Sequence, residues 1–252
     1  MVSFMLKEAR FSQILDAVNR HKFVSMHDLM SLTDSSESTI RADLIELDRQ
    51  GKLIRLRGGA QAINDETLSY ELSVEQKMEI QSGAKKAIAM KAVTFIRPNM
   101  FIYLDAGTST YALAEELNIP GVTVVTNSFL IARKVMSKGL KVYVVGGEIK
   151  LSTDALVGPF AQESVARFRF DLGFFGVNGV DLKAGFTTPD LVEATMKQTA
   201  FDHCEKAFVL ADSTKFGIVT AVSFHPFDPT ALITDTITKD AYKHLNILEA
   251  KL

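Results

Sequence analysis

Residues 101–117 constrain the fold of this chain more than any other stretch. Phe101-Ile102-Tyr103-Leu104 is a short apolar run of the kind that forms a buried strand. Tyr111-Ala112-Leu113-Ala114-Glu115-Glu116-Leu117 has the apolar spacing of a helix. Between them lie Asp105-Ala106-Gly107-Thr108-Ser109-Thr110, a glycine and three hydroxyls at a junction between a strand and a helix. Backbone N–H groups and the positive end of the helix dipole make such a junction an anion site, and phosphate is its usual guest.

The same alternation continues downstream. Strands are expected at 101–105, 122–126, 142–146, 172–177, 207–211 and 231–234. Helices are expected near 109–117, 129–138, 159–168, 190–203 and 239–247. Short continuous apolar strands separated by helices predict a parallel sheet covered on both faces, a Rossmann-like α/β domain. Ligands of such sheets bind beyond the strands' carboxyl ends. Five of those ends deliver glycine, hydroxyl, amide or charge: Asp105 to Thr110, Thr126-Asn127-Ser128, Gly146-Gly147-Glu148, Asn178-Gly179-Val180-Asp181, and Asp212-Ser213-Thr214-Lys215. Glu193 and Lys197 stand four residues apart on a helix fed by Gly185 to Asp190, with Thr187 in the feeding loop. They are placed to offer a hydroxyl acceptor and a phosphate partner. The expected binding set is Asp105, Gly107, Thr108, Ser109, Thr110, Asn127, Gly147, Asn178, Asp181, Thr187, Glu193, Lys197 and Lys215.

The first sixty residues read differently. Phe11, Ile14, Leu15 and Val18 share a helix face over 7–20. Ser25 is an N-cap for a short helix over 26–31, Thr33-Asp34-Ser35 a turn, and Ser36 the N-cap of a helix over 39–50. Leu53-Ile54-Arg55-Leu56 alternates like a strand and Gly58-Gly59 turns it back. That order is a winged helix-turn-helix, whose third helix enters the major groove. Ser36, Glu37, Ser38, Thr39 and Arg41 lie on its exposed amino-terminal face. Residues 49–60 carry Arg49, Lys52, Arg55 and Arg57 with no acid, a local charge of +4 in a chain whose net charge is −2. The expected division is a DNA-binding domain over 1–60, a polar linker over 61–73 and a larger domain over 74–252. The helix beginning that domain, 74–94, is expected to bury Ile80, Ala84, Ile88 and Ala92 and to carry Lys77, Lys85 and Lys86 on an exposed flank.

Several chemistries are excluded or unsupported. One cysteine, Cys204, rules out a disulfide framework and is expected in the core of a helix. His203, His225 and His244 lack metal-ligand spacing, and no dinucleotide, Walker A or nucleophile-elbow motif occurs, so no metal or cofactor is expected. No apolar run reaches the ~20 residues of a membrane span, and no signal-peptide core opens the chain, so a cytoplasmic location is expected.

Ser35 to Leu44, Gly51 and Arg57-Gly58-Gly59-Ala60 resemble the DNA-binding signature of the DeoR family of bacterial sugar-operon regulators. Two positions depart from it: Ala42 replaces a second arginine, and Arg57 replaces a histidine. The strand-end clusters above, with Thr187-Thr188-Pro189-Asp190, Glu193, Lys197 and Asp212 to Gly217, resemble the landmarks of that family's sensor domain, in order. The resemblance implies a fold similar to ribose-5-phosphate isomerase and a phosphorylated-sugar effector. It implies a repressor that binds double-stranded operator DNA as a homo-oligomer, dimer or tetramer. Met5 to Glu8, Ser35 to Arg41 and Glu148 to Ala155 look most like the fructose-operon repressors, which implies fructose 1-phosphate or a bisphosphate relative. The competing reading is a sugar-phosphate isomerase with an accessory domain, Asp181 and Glu193 being its acid–base carboxylates and Lys197 their electrostatic partner.

Overall fold

The computed structural model describes residues 6–21, 23–50, 52–56, 58–62, 78 and 80–250, Leu56 by its backbone alone. The chain divides into two compact units, 1–80 and 81–252.

In the first unit, α1 (Lys7–His21), β1 (Phe23–Ser25), α2 (Met26–Thr33), α3 (Glu37–Arg49), β2 (Leu53–Leu56) and β3 (Gly59–Ala62) follow one another. Local chemistry sets the helix starts. The Ser25 hydroxyl accepts from the Asp28 N–H at 3.1 Å and that of Ser36 from the Thr39 N–H at 3.3 Å. Asp34 takes the left-handed conformation that stops α2. Ile14, Val18, Leu29, Ile40, Leu44 and Leu47 are fully buried in one core. The wing is a three-stranded antiparallel sheet in the order β1-β3-β2. Gly59 is required there, because a Cβ would lie 2.1 Å from the Val24 carbonyl oxygen. The sequence pattern leaves β1 unannounced: three residues are too few to show alternation.

The second unit begins with α4 (Ser82–Val93), then β4 (Phe101–Leu104), α5 (Thr108–Glu116), β5 (Thr123–Thr126), α6 (Phe129–Ser137) and β6 (Lys141–Val144). A hairpin follows, β7 (Glu148–Lys150) with β8 (Ala155–Val157), and then α7 (Pro159–Ala166) and β9 (Phe170–Gly176). Next come β10 (Gly179–Asp181), β11 (Gly185–Thr188), α8 (Leu191–Phe201) and β12 (Cys204–Leu210). The chain ends through β13 (Val222–His225), β14 (Leu232–Thr234) and β15 (Leu248–Glu249).

Seven strands form a parallel sheet in the order β15-β14-β12-β9-β4-β5-β6. Alternate residues of each strand serve opposite faces. Ile102, Leu104, Val124, Phe174, Phe208 and Leu210 meet α4, α5 and α6. Tyr103, Val125, Phe175 and Val209 meet α7 and α8 on the other face. The chain leaves β4 toward β5 and leaves β9 toward β12, so winding reverses between two adjacent strands. That pair, β4 and β9, is the topological switch point, where a crevice opens at the carboxyl ends.

Several expectations need correction. The helix expected over 239–247 is a single 3-10 turn, Asp240–Tyr242. Tyr242 is buried and its hydroxyl donates to the Val180 carbonyl at 3.1 Å, after which the chain must extend into edge strand β15. Cys204 opens β12 rather than lying in a helix; it is half-buried, and burial pushes its thiol up to about 12. Residues 185–188, read as a loop, pair with β10 and β13 in a second, antiparallel sheet. Lys85 is buried, not on an exposed flank. Of the expected 61–73 linker, Gln61 and Ala62 belong to β3 and 63–73 lie outside the described residues, as does Lys77.

One interaction ties α1 to α3. Asp43, 3% exposed, accepts from the Arg10 guanidinium through both oxygens, one of them at 3.2 Å from Nη2. Removing the carboxylate takes the buried ion-pair partner away from the guanidinium. Asp43→Ala is therefore expected to cost about 3 kcal/mol, the low end for a buried pair because Arg10 retains some access to water. Hydrogen exchange in α1 and α3 of the full-length chain reads this; unchanged protection of both helices would contradict it.

Candidate functional site

Asp105 follows β4 and is 1% exposed; Lys197, on α8, is 5% exposed. The two form an ion pair through Asp105 Oδ2. Gly176, the last residue of β9, closes the set. Its N–H donates to Asp105 Oδ2 at 3.0 Å, and its carbonyl accepts from Lys197 Nζ at 3.2 Å. Burial pushes the Asp105 carboxyl above its ordinary value, while the Lys197 ammonium and the Gly176 N–H pull it back. The three residues stand at the switch point. An ammonium has three donors, and two are occupied here.

The adjoining loop is held by Asn127 at the end of β5. Its Oδ1 accepts from the Ala106 N–H at 2.8 Å and from the Tyr103 hydroxyl at 3.0 Å, and its Nδ2 donates to the Leu156 carbonyl at 3.3 Å. Asn127 therefore spends its side chain on shaping the Asp105–Ala106 backbone. Thr110 is likewise internal, donating to the carbonyls of Asp105 at 2.6 Å and Gly107 at 2.9 Å. What remains is the amino end of α5. Gly107 occupies its N-cap position and no side chain caps it, as at α4 and α7, whereas α2, α3, α6 and α8 are capped by Ser25, Ser36, Ser128 and Asp190. The Thr108 and Ser109 hydroxyls make no hydrogen bond among the described residues.

Glu193 lies one turn before Lys197 and is buried. It accepts from Lys150 Nζ at 3.0 Å and from the Thr153 hydroxyl at 2.6 Å, and Lys150 also pairs with Asp190 at 3.3 Å. These contacts bind the β7–β8 hairpin to the start of α8. Gly147 begins that hairpin with φ 145°, and a Cβ would sit 2.6 Å from the Val157 carbonyl oxygen, so its glycine serves close packing. Spacing had singled out Glu193 and Lys197 but not the roles of Lys150, Thr153 or Gly176. A lysine and a threonine in a short polar hairpin look like any surface turn, and only folding brings them to Glu193.

The remaining expected residues sit on the antiparallel sheet and beside it. Asp181 accepts from the N–H groups of Lys183 at 2.8 Å and Ala184 at 2.9 Å, closing the β10–β11 turn. Those N–H groups hold its carboxyl below its ordinary value. Thr187 donates to the Gly179 carbonyl at 3.3 Å and accepts from the Thr220 N–H at 3.0 Å, so it braces the sheet. Asn178 Oδ1 accepts from the Thr188 hydroxyl at 3.2 Å. Lys215 lies in a 3-10 turn capped by Asp212, and its half-buried ammonium has no partner among the described residues.

On the first unit, Glu37, Ser38, Arg41, Ala42 and Ile45 are exposed on α3. Arg41 pairs with Glu37 within the helix. Ser36 is occupied as the cap and touches the Ser38 and Thr39 hydroxyls, both at 2.9 Å. The Arg55 N–H donates to Asp48 at 3.0 Å while its exposed guanidinium is unpaired among the described residues. Arg57 lies outside the described residues. No cluster of His, Cys, Asp or Glu suited to a metal occurs among the described residues, and no helix among them is long and apolar enough to cross a membrane.

Asp190 gives the site a pH signature. Burial pushes its carboxyl up, but the Glu193 N–H and the Lys150 ammonium outweigh that and hold it below its ordinary value of 3.8. A depressed carboxylate contributes stability above its unfolded pKa and loses it as pH falls through the folded value. Asn at 190 still caps α8 but carries no charge. The stability difference between the native chain and Asp190→Asn, from urea midpoints, should therefore be present at about pH 6 and close as the pH falls below the ordinary carboxylate value. A pH-independent difference would show that the charge contributes nothing.

Comparison with known proteins agrees along the whole chain. Residues 10–66 match the DeoR-like helix-turn-helix domain, and residues 80–236 match the DeoR C terminal sensor domain. The chain is 35% identical over 249 residues to the uncharacterized HTH-type transcriptional regulator FruR of Bacillus subtilis (strain 168), covering 97% of this chain and 98% of that one. It is 32% identical over 236 residues to the lactose phosphotransferase system repressor of Staphylococcus aureus (strain NCTC 8325 / PS 47), covering 92% and 93%. A D-ribose-5-phosphate isomerase structure in complex with phospho-erythronic acid is 18% identical, covers 57% of this chain and 55% of that one, and superposes with a TM-score of 0.40. With both of its domains matched and relatives above 30% identity over nearly their full lengths, the chain belongs to the DeoR family of DNA-binding transcriptional regulators.

Proposed function

We propose that this regulator represses a sugar-utilisation operon, fructose being the first candidate, and leaves its operator when a phosphorylated sugar such as fructose 1-phosphate binds beside Asp105. The observation that carries this reading is the amino end of α5, uncapped by any side chain and placed next to a buried lysine at the switch point. N–H groups and a helix dipole favour an anion there, the Thr108 and Ser109 hydroxyls add donors, and the remaining Lys197 donor adds charge. Asp105, Gly107, Thr110, Asn127 and Gly147 shape the backbone around the phosphate. Glu193, Asn178, Asp181, Thr187 and Lys215 supply the wider rim. The family of the chain and the repressor names of its relatives support the direction of control. The sequence similarity of Glu148 to Ala155 to fructose-operon repressors supports the sugar. An effector acts only through unequal affinity for the DNA-binding and released states, and 5–150-fold coupling is the usual range, about 1–3 kcal/mol. The carboxylates of the isomerase reading are committed elsewhere: Asp181 to turn N–H groups and Glu193 to Lys150 and Thr153.

Operator binding measured by fluorescence anisotropy with and without fructose 1-phosphate is expected to weaken about tenfold or more. Sugar-insensitive binding across a panel of phosphorylated sugars would overturn the proposal. Lys197→Ala leaves a buried carboxylate unpaired and is expected to lower stability by about 3–5 kcal/mol. Combining Lys197→Met with Asp105→Asn removes both charges and should recover most of that stability, while the sugar response stays lost. A double variant that responds normally would remove Lys197 from the site.

A further inference from the structure

The exposed face of α3 is not uniformly polar. Ser38, Arg41, Ala42 and Ile45 stand at i, i+3, i+4 and i+7, which places them within an arc of about 100° on the helix surface. Opposite them Ile40, Leu44 and Leu47 are fully buried. Ile45 is 51% exposed in the middle of the arc, with the Ala42 methyl one turn before it. A lone exposed isoleucine on an arbitrary surface would need no explanation. This one lies on the helix that the winged module offers to DNA, beside Arg41 and in line with Ser38.

We infer that Ile45, with Ala42 beside it, reads the C5-methyl group of a thymine in the major groove and so sets part of the operator's sequence. Thymine is the base that presents a methyl there, and apolar side chains contact it. The spacing fits. Seven residues of helix rise about 10 Å between Ser38 and Ile45. At about 3.4 Å per base pair that spans about three pairs. The polar end of the arc, Ser38 and Arg41, thus meets phosphates or base edges, and the apolar end meets a base about three pairs away. Charge favours DNA as the occupant of this face: Arg41 borders it, and the unpaired Arg55 guanidinium extends from β2 of the same unit. The absence of a charged side chain at 42 leaves Ile45 room to reach the groove floor. The inference rests on α3 being the groove helix, and its test separates the two ideas.

The probe is the full-length chain with a duplex selected by this protein from a random pool. Each thymine is replaced in turn by deoxyuridine, which removes the methyl and nothing else. One thymine per half-site is expected to lose affinity about fourfold on replacement, the worth of one buried methyl. For Ile45→Ala, that same replacement is expected to have no further effect. Ile45 is half-exposed, so the variant keeps its melting temperature, and Arg41→Ala weakens binding to every duplex. If Arg41→Ala weakens binding but no thymine methyl matters, or Ile45→Ala remains as sensitive as the native chain, the thymine contact is overturned and α3 still enters the groove. If Arg41→Ala and Ile45→Ala both bind like the native chain, the groove assignment falls and takes the thymine contact with it.

Discussion

The second unit depends on a buried charge pair at the place where its sheet changes direction. A parallel sheet wound outward from β4 and β9 leaves two strand ends side by side with no connection covering them. Asp105 continues one of these strands, Gly176 ends the other, and Lys197 reaches both from α8. Each partner alone would be a desolvated charge; together, with the Gly176 amide and carbonyl, they satisfy one another. The pair does more than close a gap. It fixes the direction in which the chain leaves β4, and that direction aims the start of α5.

The rest of the site follows from the same economy of polar groups. Asn127 holds the loop, Thr110 closes it from within, and Glu193 draws the β7–β8 hairpin onto α8 through Lys150 and Thr153. Most of the polar residues near the switch point are thereby committed to structure. The groups left over are donors: the helix end, two hydroxyls and part of an ammonium. A site that retains donors and commits its carboxylates suits an anion that is held rather than transformed. On the proposed function, the anion held there is the signal.

Much of this was legible in the sequence. Asp105 to Thr110 announces a strand, a turn and a helix through residue chemistry alone, and Ser25 and Ser36 announce their caps. The βαβ alternation carries the parallel sheet. What was not legible came from elements too short to show a period or from contacts that only folding creates. β1, β7, β8 and β10 have three residues each. The hydrogen bonds that Asp181 and Thr187 make to their own backbone were not legible either, because polar residues at strand ends serve turns and ligands alike. Lys85 looked exposed because its neighbours are, and helix phase turned it inward. Lys150 lies in a stretch marked only by its family resemblance; its ion pairs gave no signal, since Asp190 and Glu193 lie some forty residues downstream.

On the proposed function, the amino end of α5 holds the phosphate of the effector. Selective 15N labelling of threonine and serine in the full-length chain, followed by titration with fructose 1-phosphate, reads that contact at single residues. The backbone amide resonances of Thr108, Ser109 and Thr110 are expected to move with saturable dependence on the sugar phosphate, and unphosphorylated fructose is expected to leave them unmoved. Resonances at 108–110 that stay fixed while others saturate would place the effector elsewhere and take the phosphate away from α5.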